Sequence, residues 1–353
     1  MYLLYYFGVI FLSFLIDFTK THYLKDFLLK PCLFLLLFIF VGFRSSDVGT
    51  DTLNYIFILD NFQYYNFSNL EPIPYYINYI LLNTFNGPFI YFFNFLIISF
   101  FTWYFFFKAI NTMKVSFGIF FIIIFAQLGY FYDQFNTIRQ FLALSICFYA
   151  FNFLLDNRFK KYFSWVAVAS LIHYSAIICL FFFIPKLLIK NFNKLLILTF
   201  ILLYLIIDYA SGLLVSSELK YAAYIGEDEK NNLIGNGALL FNTLFLFLAM
   251  FLIRKVDKVN KENYKFFLYL VICGYFVQFL IYMNPSLTGS IFRLTNYFNV
   301  GYVFLYSYIF FSLKGYERFL YWLLVFSILS LKFIYLFSFV NMPEYSVLDY
   351  LDW

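Results

Sequence analysis

The sequence predicts an all-α polytopic membrane protein with roughly 10 to 12 transmembrane helices and short re-entrant or interfacial segments. Composition is the first reason: 64% of the 353 residues are hydrophobic and only 12% are charged, against about 50% and 25% in soluble proteins. The second is length, because the apolar runs span roughly 16 to 23 residues, enough to cross a hydrocarbon core of about 30 Å. The third is the backbone, since an apolar run satisfies its peptide groups in lipid only as a helix.

The predicted spans follow one another along the chain, and neither a soluble domain nor an internal repeat interrupts them. They cover residues 2–18, 27–43, 88–107, 116–132, 139–155, 195–210, 238–253, 265–283, 296–312 and 319–340. We therefore expect residues 1–353 to form a single integral membrane domain.

Most of the 24 Lys and Arg residues fall between these runs, in short loops. The basic clusters lie within 20–30, 108–114, 158–161, 186–194, 254–265 and 314–318. Basic loops prefer the cytoplasmic face, so the N-terminus and the segments 44–87 and 211–237 are predicted to lie outside. Because the net charge of +5 mostly reflects this loop bias, it does not indicate nucleic-acid binding.

Two apolar runs do not fit the alternation of inner and outer loops along the chain. Residues 162–184 lie between two basic clusters, so both of their ends favour the cytoplasm. This run is either a re-entrant hairpin with His173 near its apex or an ordinary span with one basic loop on the opposite side. Residues 75–86, which end at an Asn-Gly-Pro turn, are too short to cross and are predicted to lie at the outer interface.

Three arginines lie away from the basic clusters, each in a polar patch where an apolar run meets the outer face: Arg44, Arg139 and Arg293. Cations placed there against the usual bias predict an anion that is held outside the cytoplasm. The alternative is that they are interfacial anchors, whose long side chains reach toward the polar headgroups.

The first patch begins at Arg44 and opens segment 44–74, which is predicted to contain an interfacial helix after a turn. Gly49 can supply the turn, and Asp51 can cap the helix that follows. Glu71, which precedes a proline, is a further carboxylate in the same outer segment. In the alternative interpretation, Arg44 is an anchor that pairs with Asp47, followed by an ordinary helix start.

The second patch starts a predicted span. Asn136 is a candidate N-cap, which places Arg139 in the first turn of the helix. The positive end of the helix dipole disfavours a cation there, so Arg139 is expected to meet an anion. The residues that follow form a small or polar stripe at helical spacing, typical of a close helix interface: Gln140, Ala143, Cys147 and Ala150.

The third and fourth patches each contain one ionisable residue within an apolar run. His173 has Ser175 nearby and is either a functional group at membrane depth or a neutral ring satisfied by a helix backbone or by that serine. Arg293 precedes Tyr297 where an outer loop enters a span.

Several chemistries lose support because their motifs are absent from the sequence. There is no HExxH, GxSxG, Walker or GxGxxG pattern. The four cysteines lack metal-ligand spacing, so no metal site and no cofactor are expected.

Taken in order, the patches resemble the EpsG-type branch of bacterial Wzy-like polysaccharide polymerases. The resemblance covers about residues 40–300. It depends on the RxxxxGxDxxxY pattern at Arg44, Gly49, Asp51 and Tyr55, then on Glu71-Pro72, Asn136 with Arg139-Gln140, Ala169 with His173 and Ser175, and Arg293 with Tyr297.

The resemblance implies a GT-C-like fold and a lipid-linked oligosaccharide polymerase of the bacterial inner membrane, with its active site facing outward. Such an enzyme transfers a growing glycan from undecaprenyl pyrophosphate to the terminal sugar of a lipid-linked repeat unit. Its partners would be those two lipid-linked glycans, the membrane lipid, a flippase and a chain-length regulator. The product, whether O-antigen, capsule or exopolysaccharide, stays open, and so do a glycan ligase and a flippase as alternative functions.

Within that hypothesis, each patch has a role. Arg139 and Arg293 are expected to bind the pyrophosphate, and Arg44 either supports them or orients Asp51. Asp51 is the first candidate for the proton acceptor, with His173 and Glu71 as alternatives. The expected supporting residues are Gly49, Tyr55, Asn136, Gln140, Ser175 and Tyr297.

Overall fold

The computed structural model describes residues 2–44, 48–49, 51–65, 70–113, 115–127, 131, 134–216, 236–283 and 288–339. Over these residues the secondary structure is helical and contains no strand. The predicted all-α polytopic membrane fold is therefore confirmed. Contacts divide the chain into two compact units, so the prediction of a single domain stays a prediction.

The first unit comprises residues 1–177 and 315–353. Its helices are α1 (Tyr2–Phe18), a π-helix (Leu24–Leu29), α2 (Lys30–Gly42), α3 (Thr52–Asp60), a 3-10 helix (Phe62–Tyr64), α4 (Pro72–Thr84), α5 (Phe89–Met113), α6 (Phe117–Ile122) with a π-helix (Ile123–Gln127), α7 (Ile138–Leu155), α8 (Phe159–Ile172) and α15 (Gly315–Phe339).

The second unit comprises residues 178–314. A 3-10 helix (Tyr174–Phe182) begins in the last residues of the first unit and ends in the second. Its helices are α9 (Phe183–Leu188), a 3-10 helix (Ile189–Asn191), α10 (Phe192–Ser216), α11 (Asn236–Leu252), two 3-10 helices (Ile253–Lys255 and Lys258–Asn260), α12 (Lys261–Met283), α13 (Thr288–Asn299) and α14 (Gly301–Ser312).

Among the described residues, four helical runs are long and apolar enough to cross a membrane: Phe89–Met113, Ile138–Leu155, Tyr174–Leu205 and Lys258–Met283. Three of them coincide with predicted spans. The remaining run begins about 20 residues before the predicted span 195–210, because helices follow one another there without a loop.

The basic residues at 186–194 were predicted to form a loop, and that prediction was wrong. Lys186 lies in α9, Lys190 in the 3-10 helix and Lys194 in α10. The Lys186 ammonium donates a 2.7 Å hydrogen bond to the Asn263 side chain in α12. A long flexible stem lets a lysine stay on a helix while its charge reaches a polar partner.

The two apolar runs that do not fit the predicted alternation of loops behave partly as predicted. α8 ends at Ile172, and His173 has extended backbone angles before the 3-10 helix begins. Whether residues 162–184 form a hairpin or a span stays open. α4 has 13 residues, about 20 Å of helix, and is too short to cross the membrane. The segment predicted as the span 296–312 is instead two helices, α13 and α14, which meet at Val300.

Some predicted segments fall outside the described residues: 217–235 of the outer segment 211–237, residues 128–130 and 132 of the span 116–132, and the tail 340–353. Within the first unit, α7 packs between α5 and α8 and is buried along most of its length. Gln140, Ala143, Cys147 and Ala150 are all buried, as the predicted small-residue stripe requires. The start of this central helix positions the candidate site.

Candidate active site

Arg139 is the second residue of α7, so it lies in the first turn, as predicted. The prediction that Asn136 caps this helix was wrong, because Thr137 holds the N-cap position and makes no side-chain cap bond. Instead the Asn136 carbonyl accepts a 3.1 Å hydrogen bond from the Tyr55 hydroxyl. This bond ties the segment that precedes α7 to α3.

Glu71 is the anion that Arg139 meets. Nη1 of Arg139 lies 2.7 Å from Oε2 of Glu71, and the two side chains are only 21% and 12% exposed. The contact joins the start of α7 to the residue that precedes α4. An ion pair shielded from water in this way is stronger than a surface pair.

Tyr55 covers one side of the Arg139 guanidinium. Cζ of Arg139 lies 5.3 Å from the centre of the Tyr55 ring, within the range of a cation–π contact. Burial raises the pKa of Tyr55, and this effect outweighs the neighbouring Arg139 charge, which lowers it. The phenol therefore stays protonated and can donate to the Asn136 carbonyl.

Arg44 forms a second, deeper stack beside the first. Its side chain is fully buried, Cζ lies 4.2 Å from the Phe95 ring centre, and Nη1 donates to the Gln134 carbonyl at 3.3 Å. The Phe95 ring meets the Tyr55 ring edge-on at 6.4 Å. Arg44 and Arg139 are therefore linked through two aromatic rings, although the sequence placed them almost 100 residues apart.

Gly49 makes the predicted turn, with a positive φ of 92°. A Cβ on this residue would lie 2.6 Å from the Phe135 carbonyl oxygen, so the turn also allows a close backbone approach. Asp51 holds the N-cap position of α3, as predicted, but its side chain makes no cap bond there. Its charge interacts with Tyr55 and Arg139 instead.

His173 lies at the break after α8 and contacts Ser175. Its Nδ1 accepts a hydrogen bond from the Ser175 backbone N–H at 3.3 Å and lies 2.7 Å from the Ser175 hydroxyl. With Nδ1 as the acceptor, a neutral ring carries its proton on Nε2. The residue before it, Ile172, lines the same cleft as Arg139.

The enclosed part of this cleft is small, about 20 Å³, and the rest of the cleft is open to its surroundings. Its lining residues are Tyr55, Ile58, Leu70, Ile73, Pro74, Ile77, Asn78, Asn94, Ile98, Arg139, Leu142 and Ile172. A second hollow, with an enclosed volume of about 10 Å³, adjoins Arg44 and Gln134 and shares Ile98 with the first. The walls are thus mostly aliphatic, with an arginine at each hollow.

Sequence reasoning missed two asparagines in the cleft wall. Asn94 donates a 2.6 Å hydrogen bond to the Asn78 side chain, and both residues are buried. A signal was available, because each is a neutral polar residue inside an otherwise apolar run. Such residues hold neighbouring membrane helices together, here α4 and α5.

The last predicted patch belongs to the second unit. Arg293 lies in α13 and is half-buried, and Tyr297 in the same helix is fully buried. Their participation in one site with Arg139 stays a prediction. Within the part of the chain that the structure describes, no group of three or more His, Cys, Asp or Glu side chains is placed to hold a metal ion.

The comparison with known families finds a match over most of the chain. A sequence model of the EpsG family matches residues 27–351, a longer stretch than the motif resemblance covered. No curated protein and no solved structure matches the chain.

Proposed function

The chain belongs to the EpsG family, and from that premise we propose that it polymerises a glycan from lipid-linked repeat units. Family membership makes it a polysaccharide polymerase-type membrane protein. The proposal adds the substrates: the growing glycan leaves undecaprenyl pyrophosphate and joins the terminal sugar of an undecaprenyl-pyrophosphate-linked repeat unit. We place this reaction at the outer face of the bacterial inner membrane, where a flippase delivers repeats and a chain-length regulator limits the product.

The observation that carries the proposal is the partly buried Arg139 in the wall of a mostly aliphatic cleft. A lipid diphosphate is a strong anion on a long hydrocarbon chain, so it needs a cation and an apolar wall side by side. Arginine suits this anion, because a guanidinium stays charged and can bind two phosphate oxygens at once. Backbone N–H groups at the start of α7 add further donors for an anion.

The reaction requires a proton acceptor and a stabilised leaving group. The acceptor hydroxyl oxygen bonds to the anomeric carbon of the donor, while the bond from that carbon to the phosphate oxygen breaks. The diphosphate leaves with the electron pair, and Arg139 stabilises its charge. A carboxylate takes the hydroxyl proton.

Asp51 is our first candidate for the proton acceptor, because its charge already acts on Arg139 and Tyr55. Glu71 is the alternative carboxylate, although Arg139 engages it in the resting protein. His173 is less suited, since Ser175 already donates to its Nδ1. Arg44 would support the site through its stack on Phe95.

Arg293 is proposed as a further pyrophosphate ligand, with Tyr297 beside it in α13, and this assignment depends on the sequence motif. No metal is assigned a role in the proposed reaction. We therefore expect activity to survive chelation with EDTA.

The proposal is tested by reconstituting the purified protein in liposomes with one purified undecaprenyl-pyrophosphate-linked repeat unit. We expect a ladder of longer glycans, with or without EDTA. Arg139→Ala should remove a charge-stabilising contact and lower the rate by about 100-fold or more. Arg158→Ala is the matched control, because Arg158 pairs with Asp156 on the exposed surface, and its rate should not change.

Two results would contradict the proposal. If the lipid-linked repeat stays a single unit until a different acceptor is added, the protein is a ligase. If it crosses the membrane without growing, the protein is a flippase.

A further inference from the structure

The cleft at Arg139 combines one cation with hydrocarbon walls. Eight of its lining side chains are aliphatic: Ile58, Leu70, Ile73, Pro74, Ile77, Ile98, Leu142 and Ile172. The polar ones are few, and the Asn78 and Asn94 amides bond to each other. The face of Tyr55, which could otherwise stack on a sugar, is occupied by Arg139. This chemistry fits a hydrocarbon chain with an anionic end better than a glycan.

The Glu71 carboxylate, which pairs with Arg139, leaves part of the hydrogen-bonding capacity of the guanidinium unused. Glu71 contacts Nη1 through one oxygen. Among the described residues, the buried Nε of Arg139 has no hydrogen-bond partner. A guanidinium has five N–H donors, so a diphosphate, with more oxygens than a carboxylate, can bond to donors that Glu71 leaves unused.

Glu71 is held by little else. It stands at the N-cap position of α4 but makes no side-chain cap bond. Residues 72 and 74 are both prolines, which lack an N–H, so the start of this helix offers a carboxylate few backbone donors. Arg139 is therefore the main partner that fixes the Glu71 side chain within the described part of the chain.

We infer that the cleft receives the isoprenoid diphosphate end of the lipid carrier and that Glu71 occupies the phosphate position until the carrier displaces it. The first isoprene units lie against the aliphatic walls, and the diphosphate takes Arg139 from Glu71. This inference rests on the proposed function and adds to it the internal group that the lipid diphosphate replaces. Glu71 acts here as a competing anion, and its displacement leaves a carboxylate free beside the bound donor.

The test measures farnesyl diphosphate binding to the full-length protein in detergent, with farnesol and inorganic diphosphate as partial probes. Arg139→Ala should weaken farnesyl diphosphate binding by at least tenfold. Glu71→Gln should tighten farnesyl diphosphate binding by about fivefold, because one modest ion pair no longer competes with the ligand for Arg139. The same Glu71→Gln change should lower the thermal unfolding temperature without ligand, because Arg139 loses its counter-charge.

These opposite signs separate competition from a purely structural role, which would weaken both binding and stability. The matched control is Asp60→Asn, since Asp60 is an outer carboxylate at the end of α3 that accepts from the Tyr91 hydroxyl. Asp60→Asn should change neither the affinity for farnesyl diphosphate nor the loss of affinity that Arg139→Ala causes.

Each other outcome overturns a defined part of the inference. Unchanged or weaker binding by Glu71→Gln rules out the exchange, and unchanged binding by Arg139→Ala rules out the site. Farnesol that binds as tightly as farnesyl diphosphate rules out recognition of the anion. A glycan ladder in the reconstituted assay alongside any of these results would leave the proposed function standing, whereas its absence would remove the function itself.

Discussion

At the scale of single residues, the site depends on how the protein compensates an arginine in an unfavourable place. Arg139 stands in the first turn of α7, where the helix dipole disfavours a cation. Glu71 supplies the opposite charge at 2.7 Å, and the Tyr55 ring supplies a polarisable face. The compensation comes from outside the helix, so it can be exchanged for a ligand without unfolding α7.

Gly49 is the residue whose replacement should disturb this arrangement most directly. Gly49→Ala puts a Cβ 2.6 Å from the Phe135 carbonyl at a positive φ, so the segment before α7 must move. We expect a loss of about 2 kcal/mol or more in the free energy of unfolding, measured by denaturation in detergent. Gly87→Ala is the matched control, because Gly87 also has a positive φ but no atom lies within 4 Å of where its Cβ would stand. The loss for Gly87→Ala should stay near ~1 kcal/mol.

The residues of the site were predictable as far as their patterns were local. The turn at Gly49 and the first-turn position of Arg139 follow from neighbouring sequence, and both were right. The Arg139–Glu71 pair joins residues 68 positions apart, and no local pattern specifies such a contact. Asp51 was expected to cap α3, but its backbone is near-helical rather than extended, so its side chain makes no cap bond.

At the scale of helices, α6 shows how one polar side chain fixes an element in an apolar setting. The Asp17 carboxylate at the end of α1 accepts from the Ser116 hydroxyl at 2.6 Å and from two backbone N–H groups, of Phe117 at 3.0 Å and Gly118 at 2.8 Å. These are the donors that a helix start leaves unpaired. α1 therefore holds the beginning of α6 by hydrogen bonds as well as by packing.

Removal of this cap should destabilise the first unit. We expect Asp17→Ala to lower the free energy of unfolding by about 2 kcal/mol, at the upper end of cap losses because the donors are buried. Asp156→Ala removes a carboxylate from an exposed pair with Arg158 and should change it by less than about 1 kcal/mol. Thermal unfolding of both variants in the same detergent decides the matter, and equal losses would contradict the capping role.

Helix boundaries were predictable where a single apolar run has clear ends, as in α1 and α7. They were wrong where charge was taken as the sign of a loop. The lysines at 186–194 lie on consecutive helices, because a lysine stem is compatible with a helix and its charge can reach Asn263. The break at Val300 divides a run that was predicted as one span. The residues of this run that precede Gly301 include neither proline nor glycine.

At the scale of the whole molecule, the orientation in the membrane decides whether the Arg139 cleft can meet a substrate outside the cytoplasm. The bias of basic residues predicts segment 44–87 outside and segment 254–264 inside. Two side chains report on these faces, because Tyr64 is 72% exposed and Val259 is 89% exposed.

Variants with one introduced cysteine test this orientation. In a background with the exposed Cys32 replaced by serine, Tyr64→Cys should react with a membrane-impermeant maleimide in intact spheroplasts. Val259→Cys should react only after permeabilisation, because its segment faces the cytoplasm. The unsubstituted Cys32→Ser background gives the labelling of the three buried cysteines. The reverse pattern would place the cleft toward the cytoplasm, where a polymerase acting on outward-facing repeats could not use Arg139 as its pyrophosphate ligand.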